Sequence, residues 1–472
     1  MHVKVFKFGG ASVNNAAGVK NVADIIRRFD RTPLLVVISA MGKTTNALEE
    51  VLAHYIGKDP VAVVESFRKV RDYHFSIMDE LFEDKNHLVF GEVDSLFNQL
   101  RGHIRRGHLF SQVSLDFDFE YDQIVSYGEL ISSAILHHYL ALQGCRSTLF
   151  DVRGLIITDS TFRDARVDWS KTKELVLSEV QGHFSVRKGM RSVAVTQGFI
   201  AGDASGNTTT LGREGSDFSA AVFAWCLQSK EMTIWKDVPG VMNADPKWMP
   251  GSRCLKTLSY REAIELAYYG ASVIHPKTIK PLENAGIILK VRSFSDPDLP
   301  GTSVRSLRKW KIPFPIFIRK QNQMLISVSP RDFSFILEEN LSGIFRILAD
   351  FRVKVNMMHN SAISFSFCVD AEQRKVAPLL AFLNRDYETR YNEGLELITI
   401  RHYDEEAVTQ MTRGRKVMME VRSRNTVQFV TPPLAPPPHG GGARGGGHGI
   451  TTGKSYLNSS NAGIPRMFDR KS

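Results

Sequence analysis

Val3-Lys4-Val5-Phe6-Lys7-Phe8-Gly9-Gly10-Ala11-Ser12 is the stretch on which the fold turns. An apolar, β-branched and aromatic run ends on a lysine and breaks on two glycines, which predicts a strand and a sharp turn. After it, Val19, Val22, Ile25, Ile26 and Phe29 fall on one helical face behind an asparagine cap. Leu34–Ile38 is continuously apolar, as strands buried on both faces of a parallel sheet are. A helix is expected from about Thr45, a wholly helical, polar-faced insert over residues 60–125, and another helix near Glu129. Short strands are expected at 147–150, 155–158, 192–196, 232–235 and 287–292, with helices at 217–228, 260–268 and 276–284. Strands alternating with helices imply an α/β sheet sandwiched between helical layers.

Beyond Pro300 the pattern changes. Residues 324–328, 338–351, 353–358, 363–369, 372–384 and 388–392 read as βαββαβ, a ferredoxin-like α+β unit. Residues 396–401, 404–413, 417–420 and 426–430 read as βαββ, a second copy cut short. From Pro432 the chain is PPLAPPPHGGGARGGGHG and onward. That composition cannot bury enough apolar surface to offset ordering entropy, so residues 432–472 are expected to be disordered.

Of 472 residues, 43% are hydrophobic and 23% charged, which excludes a disordered or fibrous chain. The net charge is +10, but the tail alone holds five basic residues and one acid. The remaining excess is too diffuse for a nucleic-acid stripe and suits anionic small molecules. The four cysteines are scattered without a CxxC or Cys/His cluster, so no disulfide framework or metal site is expected. No apolar run reaches the roughly eighteen residues of a membrane span, and the start lacks a signal layout. A cytoplasmic protein is expected.

Three segments carry chemistry. In the first, Lys7 precedes Gly9 and Gly10 at a strand end. Glycines let backbone N–H groups converge on an anion, and the lysine can neutralise a transferring phosphoryl group. Taken alone, the segment also fits a tight turn with a solvated lysine. The second, Thr208-Thr209-Thr210-Leu211-Gly212-Arg213-Glu214-Gly215-Ser216-Asp217, sets hydroxyls, glycines and an arginine before a helix start. It suits phosphate or carboxylate binding, or a plain capped loop. The third, from Lys236-Asp237-Val238-Pro239-Gly240 through Met242 to Lys247, follows a strand, where loops form ligand clefts.

Together KFGGASV, VVISAMGKTTNAL, SYGEL, TTTLGREGSD, DVPGVMNADP and GASVIHPKT closely resemble, in order and spacing, the monofunctional aspartate kinases of the amino-acid kinase family. The resemblance implies a three-layer αβα catalytic domain over residues 1–300 with the 60–125 insert. It also implies an ACT (small-molecule-binding) domain over 315–393 and a partial second ACT-like unit over 394–431. The implied activity is phosphorylation of the L-aspartate side-chain carboxylate by MgATP. Lys7 would stabilise the phosphoryl group in flight and Asp217 would orient Lys7. Arg213 would hold the substrate α-carboxylate and Glu129 its α-ammonium, with Ser39, Thr45 and Ser216 as nearby hydroxyls. Gly9, Gly10, Lys236, Asp237, Met242, Lys247 and Ser272 would meet the nucleotide. Glu214, Met242 and Ser272 depart from residues common in the family. The resemblance further implies a homodimer through the ACT region and an amino-acid effector, lysine or threonine. Asn356 stands where lysine-sensitive relatives place an acid. No partnership with nucleic acid or membrane is expected. Within the same fold, a kinase for glutamate or acetylglutamate is the alternative enzyme. A non-catalytic amino-acid sensor is the alternative of another class.

Overall fold

A computed structural model describes residues 2–29, 32–109, 115–186, 192–271, 274–307, 312–332 and 334–433. The first eleven strands are β1 (Lys4–Phe8), β2 (Leu34–Ile38), β3 (Ser147–Phe150), β4 (Ile157–Thr158), β5 (Val193–Gln197), β6 (Ile200–Asp203), β7 (Thr208–Thr210), β8 (Glu231–Lys236), β9 (Thr257–Ser259), β10 (Ile288–Ser293) and β11 (Thr302–Arg305). Eight of them form one sheet in the order β3-β5-β2-β1-β8-β10-β11-β9. It is parallel except where β10 meets β11. A small sheet, β4-β6-β7, stands apart. Its strands β6 and β7 are too short and too rich in Gly and Thr for a periodicity reading to find.

Both faces of the large sheet are covered, and alternate residues of each strand serve opposite cores. Phe6, Phe8, Leu34, Val36 and Ile38 pack with Val19, Val22 and Ile26 of the helix Ala16–Phe29. Val5, Leu35 and Val37 pack with Ala220, Val222 and Phe223 of the helix Gly215–Cys226. Period-two alternation therefore turns Lys7 to the side of Val5, the side that carries Gly215–Cys226. The 60–125 segment is three helices, Pro60–Leu81, Leu88–Leu109 and Phe117–Val125. A Phe-rich seam including Phe67, Phe82 and Phe97 joins it to the core.

The C-terminal region is one six-stranded sheet. Its strands are β12 (Ile316–Pro330), β13 (Val355–Asn360), β14 (Phe365–Asp370), β15 (Tyr387–Arg401), β16 (Met419–Arg422) and β17 (Thr426–Thr431), in the order β13-β14-β12-β15-β17-β16. Two sequence readings are corrected here. Residues 388–392 and 396–401 are a single strand, β15. The second unit is also not simply cut short, because Ile316–Lys320 of β12 pairs with Leu397–Arg401 and supplies its missing strand. The first unit is thus inserted into the second. The polar run Arg319-Lys320-Gln321-Asn322-Gln323 hid this strand from the sequence pattern; in the sheet it carries register shifts and a left-handed Asn322.

The sheet is tied to the N-terminal half by charge and backbone. Arg401 on β15 donates from Nε and Nη2 to Glu262 at 2.8 Å each and from Nη1 to Glu265 at 3.2 Å. The Arg401 and His402 partners hold Glu262 down to about 2 against the opposing effect of burial, the largest influence on it. The Phe317 amide donates to the Asn243 carbonyl at 2.7 Å. Ala244, Trp248 and Met249 pack on Phe317, Ile398 and Ile400.

Candidate active site

A cleft of about 510 Å³ opens at the carboxyl ends of β1, β2 and β8, where ligand sites of parallel sheets form. It is lined by Lys7, Gly10, Ser39, Thr45, Glu129, Arg213, Ser216, Asp217 and Lys236 among others. Nine sequence candidates, drawn from segments up to 229 positions apart in the chain, thus meet in one place.

Lys7 and Asp217 form an ion pair at 2.7 Å with side chains only 12% and 4% exposed. The pairing follows from the fold. Lys7 lies on the sheet face beneath Gly215–Cys226, and Asp217 is in that helix's first turn, where the dipole favours an anion. Glu214 precedes the helix at φ 54°, in the left-handed region, which costs a non-glycine residue roughly 1–2 kcal/mol. The turn it makes leaves Arg213 exposed on the cleft rim. Among the described residues no carboxylate pairs with Arg213.

Glu129 sits in the buried helix Tyr127–Leu142 and is 2% exposed. Its Oε1 accepts the Ala40 N–H at 3.2 Å, while Oε2 is buried without a hydrogen-bond partner among the described residues. Burial pushes its carboxyl up to about 8, against the Ala40 N–H and the Lys7 charge. A half-satisfied carboxylate in a cleft is a receptor for a cation.

Gly10 is glycine because the β1 and β2 turns touch there. A Cβ would meet the Ala40 and Gly42 carbonyl oxygens at 2.7 Å. Gly9 does not line the cleft, yet a Cβ on it would come within 3.3 Å of the Lys7 ammonium. Gly9 thus leaves the space around the Lys7 ammonium open, while Gly10 lets the two turns close against each other.

Asp237, Met242 and Lys247 follow β8 on the loop that reaches the C-terminal sheet and do not line the cleft. Asp237 and Lys247 are exposed, and Met242 is half-buried in a bridge to Cys254. Ser272 lies outside the described residues. Asn356 is buried: it accepts from Lys320 Nζ at 2.8 Å and donates to Gln323 and Asp370 at 2.9 and 3.0 Å.

Sequence reasoning missed several lining residues, among them Tyr121, Arg163 and Phe199. Arg163 lies over the Tyr121 ring at 4.7 Å. Behind them Asp122, fully buried, accepts from the Thr210 N–H and hydroxyl at 2.8 and 2.7 Å and from the Arg163 N–H at 3.0 Å. Burial raises its carboxyl to about 6 despite those donors. Asp122 therefore fixes the threonine strand that leads to Arg213. An acid inside a predicted helical insert gave no sign of this; only the tertiary contact does.

The family model of the amino acid kinase family matches residues 2–293. The chain belongs to the amino acid kinase family. It is 28% identical over 406 residues to the lysine-sensitive aspartokinase 3 of Escherichia coli K12, covering 84% of this chain and 86% of that protein. It is 30% identical over 389 residues to the chloroplastic aspartokinase 2 of Arabidopsis thaliana, covering 78% and 66%. Against the chloroplastic bifunctional aspartokinase/homoserine dehydrogenase 1 of Arabidopsis thaliana, at 28% identity, the chain spans 41% of that protein's length. Among solved structures, E. coli aspartokinase III in complex with aspartate and ADP superposes with a TM-score of 0.74 at 26% identity, covering 91% of this chain and 96% of that one. The same enzyme with lysine and aspartate gives 0.75 at 26% identity. This amino acid kinase is therefore of the aspartokinase type, with the catalytic half followed by an antiparallel sheet. Among the described residues no helix is long and apolar enough to cross a membrane.

Proposed function

We propose that this kinase transfers the terminal phosphoryl group of MgATP to the side-chain carboxylate of L-aspartate. The products are 4-phospho-L-aspartate and ADP, the first step towards lysine, threonine and methionine, in the cytoplasm. The observation that carries the reading is one cleft holding a Lys7–Asp217 pair, an Arg213 with no carboxylate partner among the described residues and a half-satisfied Glu129.

The acceptor carboxylate is ionised at neutral pH and needs no general base. What it needs is alignment with a polyanion and neutralisation of the charge between them. Arg213 offers a planar fork to the α-carboxylate, and the free oxygen of Glu129 offers an acceptor to the α-ammonium. Ser39, Thr45 and Ser216 supply hydroxyls around the same space. Lys7, held by Asp217, faces the phosphoryl path, with Gly9 leaving room beside it and Gly10 lining the cleft. Lys236, Asp237, Met242, Lys247 and Ser272 are assigned to the nucleotide. Among the described residues no three metal-ligating side chains converge. Magnesium needs no such cluster, because it keeps its waters and binds mainly through nucleotide phosphates plus one or two carboxylates. Asp237, exposed beyond β8, would supply a carboxylate. Bound magnesium would offset phosphate charge.

An intact Lys7–Asp217 pair disfavours the non-catalytic sensor. ADP release with aspartate, glutamate and N-acetylglutamate compared side by side tests the assignment. Turnover confined to aspartate is expected, and turnover with acetylglutamate or with none of the three rejects it. The C-terminal sheet is assigned to homodimerisation and to binding lysine or threonine. Its support is an edge strand, β13, and exposed apolar residues Phe335, Leu337, Met358 and Ile363 beside it. Titrating each amino acid into the assay, with light scattering for mass, checks both.

A further inference from the structure

The helices Pro60–Leu81 and Leu88–Leu109 contribute nothing to the lining of the catalytic cleft. Between them runs a separate groove of about 580 Å³, within the size range of small-molecule sites. Its floor is apolar, made by Val63, Phe67 and Ile104, and Val64 stands 68% exposed at its edge. Four arginines, Arg68, Arg71, Arg101 and Arg105, line it against one acid, Asp72. Arg71 is accounted for: it pairs with Asp94 at 2.9 Å and lies over Phe75 at 3.9 Å. Arg101 rests over Phe67 at 5.4 Å. Among the described residues no carboxylate pairs with Arg68, Arg101 or Arg105.

We propose that this groove binds a small organic anion, a phosphate ester or carboxylate carried on a medium-length alkyl or aryl body. The apolar floor removes the body from water. The guanidinium forks take the anionic head, for which their planar donors are matched. Unpaired like charges around one opening repel each other, and an anion placed among them relieves that repulsion. The same charges argue against a second copy of this chain as the occupant, since it would bring a second arginine set against the first. Neither half of the site suffices alone. The floor has no polar group to hold a bare phosphate, and the arginine edge gives an uncharged alkyl chain no orientation.

Calorimetric titration of the full chain with octyl phosphate tests this, with 1-octanol and inorganic phosphate as separate arms. Saturable binding of octyl phosphate is expected, with each half-ligand at least about tenfold weaker, the worth of one charge-assisted bond or a few buried methylenes. The double variant Arg68→Gln/Arg105→Gln should weaken octyl phosphate by about tenfold or more. Val64→Glu, which adds a carboxylate at the edge, should weaken it further, and both should leave the melting temperature unchanged. No binding by the wild type overturns the proposal. So do equal affinities for octyl phosphate and octanol, or an undiminished affinity in folded variants. Light scattering that shows Val64→Glu breaking an oligomer would assign the groove to self-association and overturn it as well. If the variants fail to fold, the wild-type comparison of the three probes still decides.

Discussion

Replacing Glu129 by glutamine separates its charge from its shape. The amide keeps an oxygen for the Ala40 N–H, now accepted at 3.2 Å, and removes the anion offered to the substrate α-ammonium. In the free enzyme burial holds the Glu129 carboxyl at about 8. At pH 7 only about a tenth of the molecules then carry the charge, a cost near 1.4 kcal/mol on binding. Aspartate kcat/KM, corrected for the substrate's own titration, should rise about tenfold per pH unit up to about 8 and flatten above, because this parameter reports the free enzyme. In Glu129→Gln the slope should vanish and the aspartate KM at pH 8.5 should rise by about 10- to 100-fold, the worth of a charged hydrogen bond. The ATP KM should not move. Stability gives a second readout with a definite sign. A carboxyl whose folded value is raised leaves the unfolded state with fewer protons between roughly pH 4 and 8, so native stability falls as pH rises through that window. The glutamine variant should therefore gain melting temperature over wild type at pH 8.5 and little at pH 4. An acid limb that persists unchanged in Glu129→Gln, or an effect confined to ATP, would refute the reasoning.

Lys7→Ala should lower kcat by about 10²–10³, as loss of a preorganised transition-state charge does. It strands a nearly buried Asp217, so melting temperature should fall as well. Lys7→Met with Asp217→Asn should recover stability without recovering activity, because removing both charges of a buried pair is far milder than removing one. Arg213→Ala should raise the aspartate KM strongly and leave the melting temperature unchanged, since the side chain is exposed and has no carboxylate partner among the described residues. Arg401→Ala leaves Glu262 without its bidentate partner and should cost about 3–5 kcal/mol by denaturant unfolding. The wild-type contribution of Glu262, held at about 2, is present above its unfolded value and is lost as pH falls towards 2.

The catalytic half was legible because buried parallel strands announce themselves. Leu34–Ile38 is apolar throughout and is buried throughout. The first and third chemistry-bearing segments begin where such strands end, which is why Lys7 and Lys236 arrive at one edge together with Ser39. Of the sheet β4-β6-β7 only β4 was legible, inside the strand expected at 155–158, since β6 and β7 are short and carry no period. Asp122 was hidden for another reason. Its partners, Arg163 and Thr210, lie 41 and 88 positions away, and no local pattern marks an acid that will be buried. In the C-terminal region the sequence pattern places a strand only at 324–328, because apolar alternation pauses at 319–323. The backbone continues through it as one strand, because pairing with β15 resumes on both sides of the irregularity.

Hydroxylamine trapping shows whether phosphate reaches the side-chain carboxylate of aspartate. Acyl phosphates react with hydroxylamine to give hydroxamates, which phosphate esters and free phosphate do not. The enzyme with MgATP, L-aspartate and hydroxylamine should yield the 4-hydroxamate of aspartate in step with ADP, identified by mass spectrometry. Lys7→Met/Asp217→Asn should yield about 10²-fold less or lower still. ADP formed without hydroxamate, or hydroxamate on the α-carboxylate, would contradict the account.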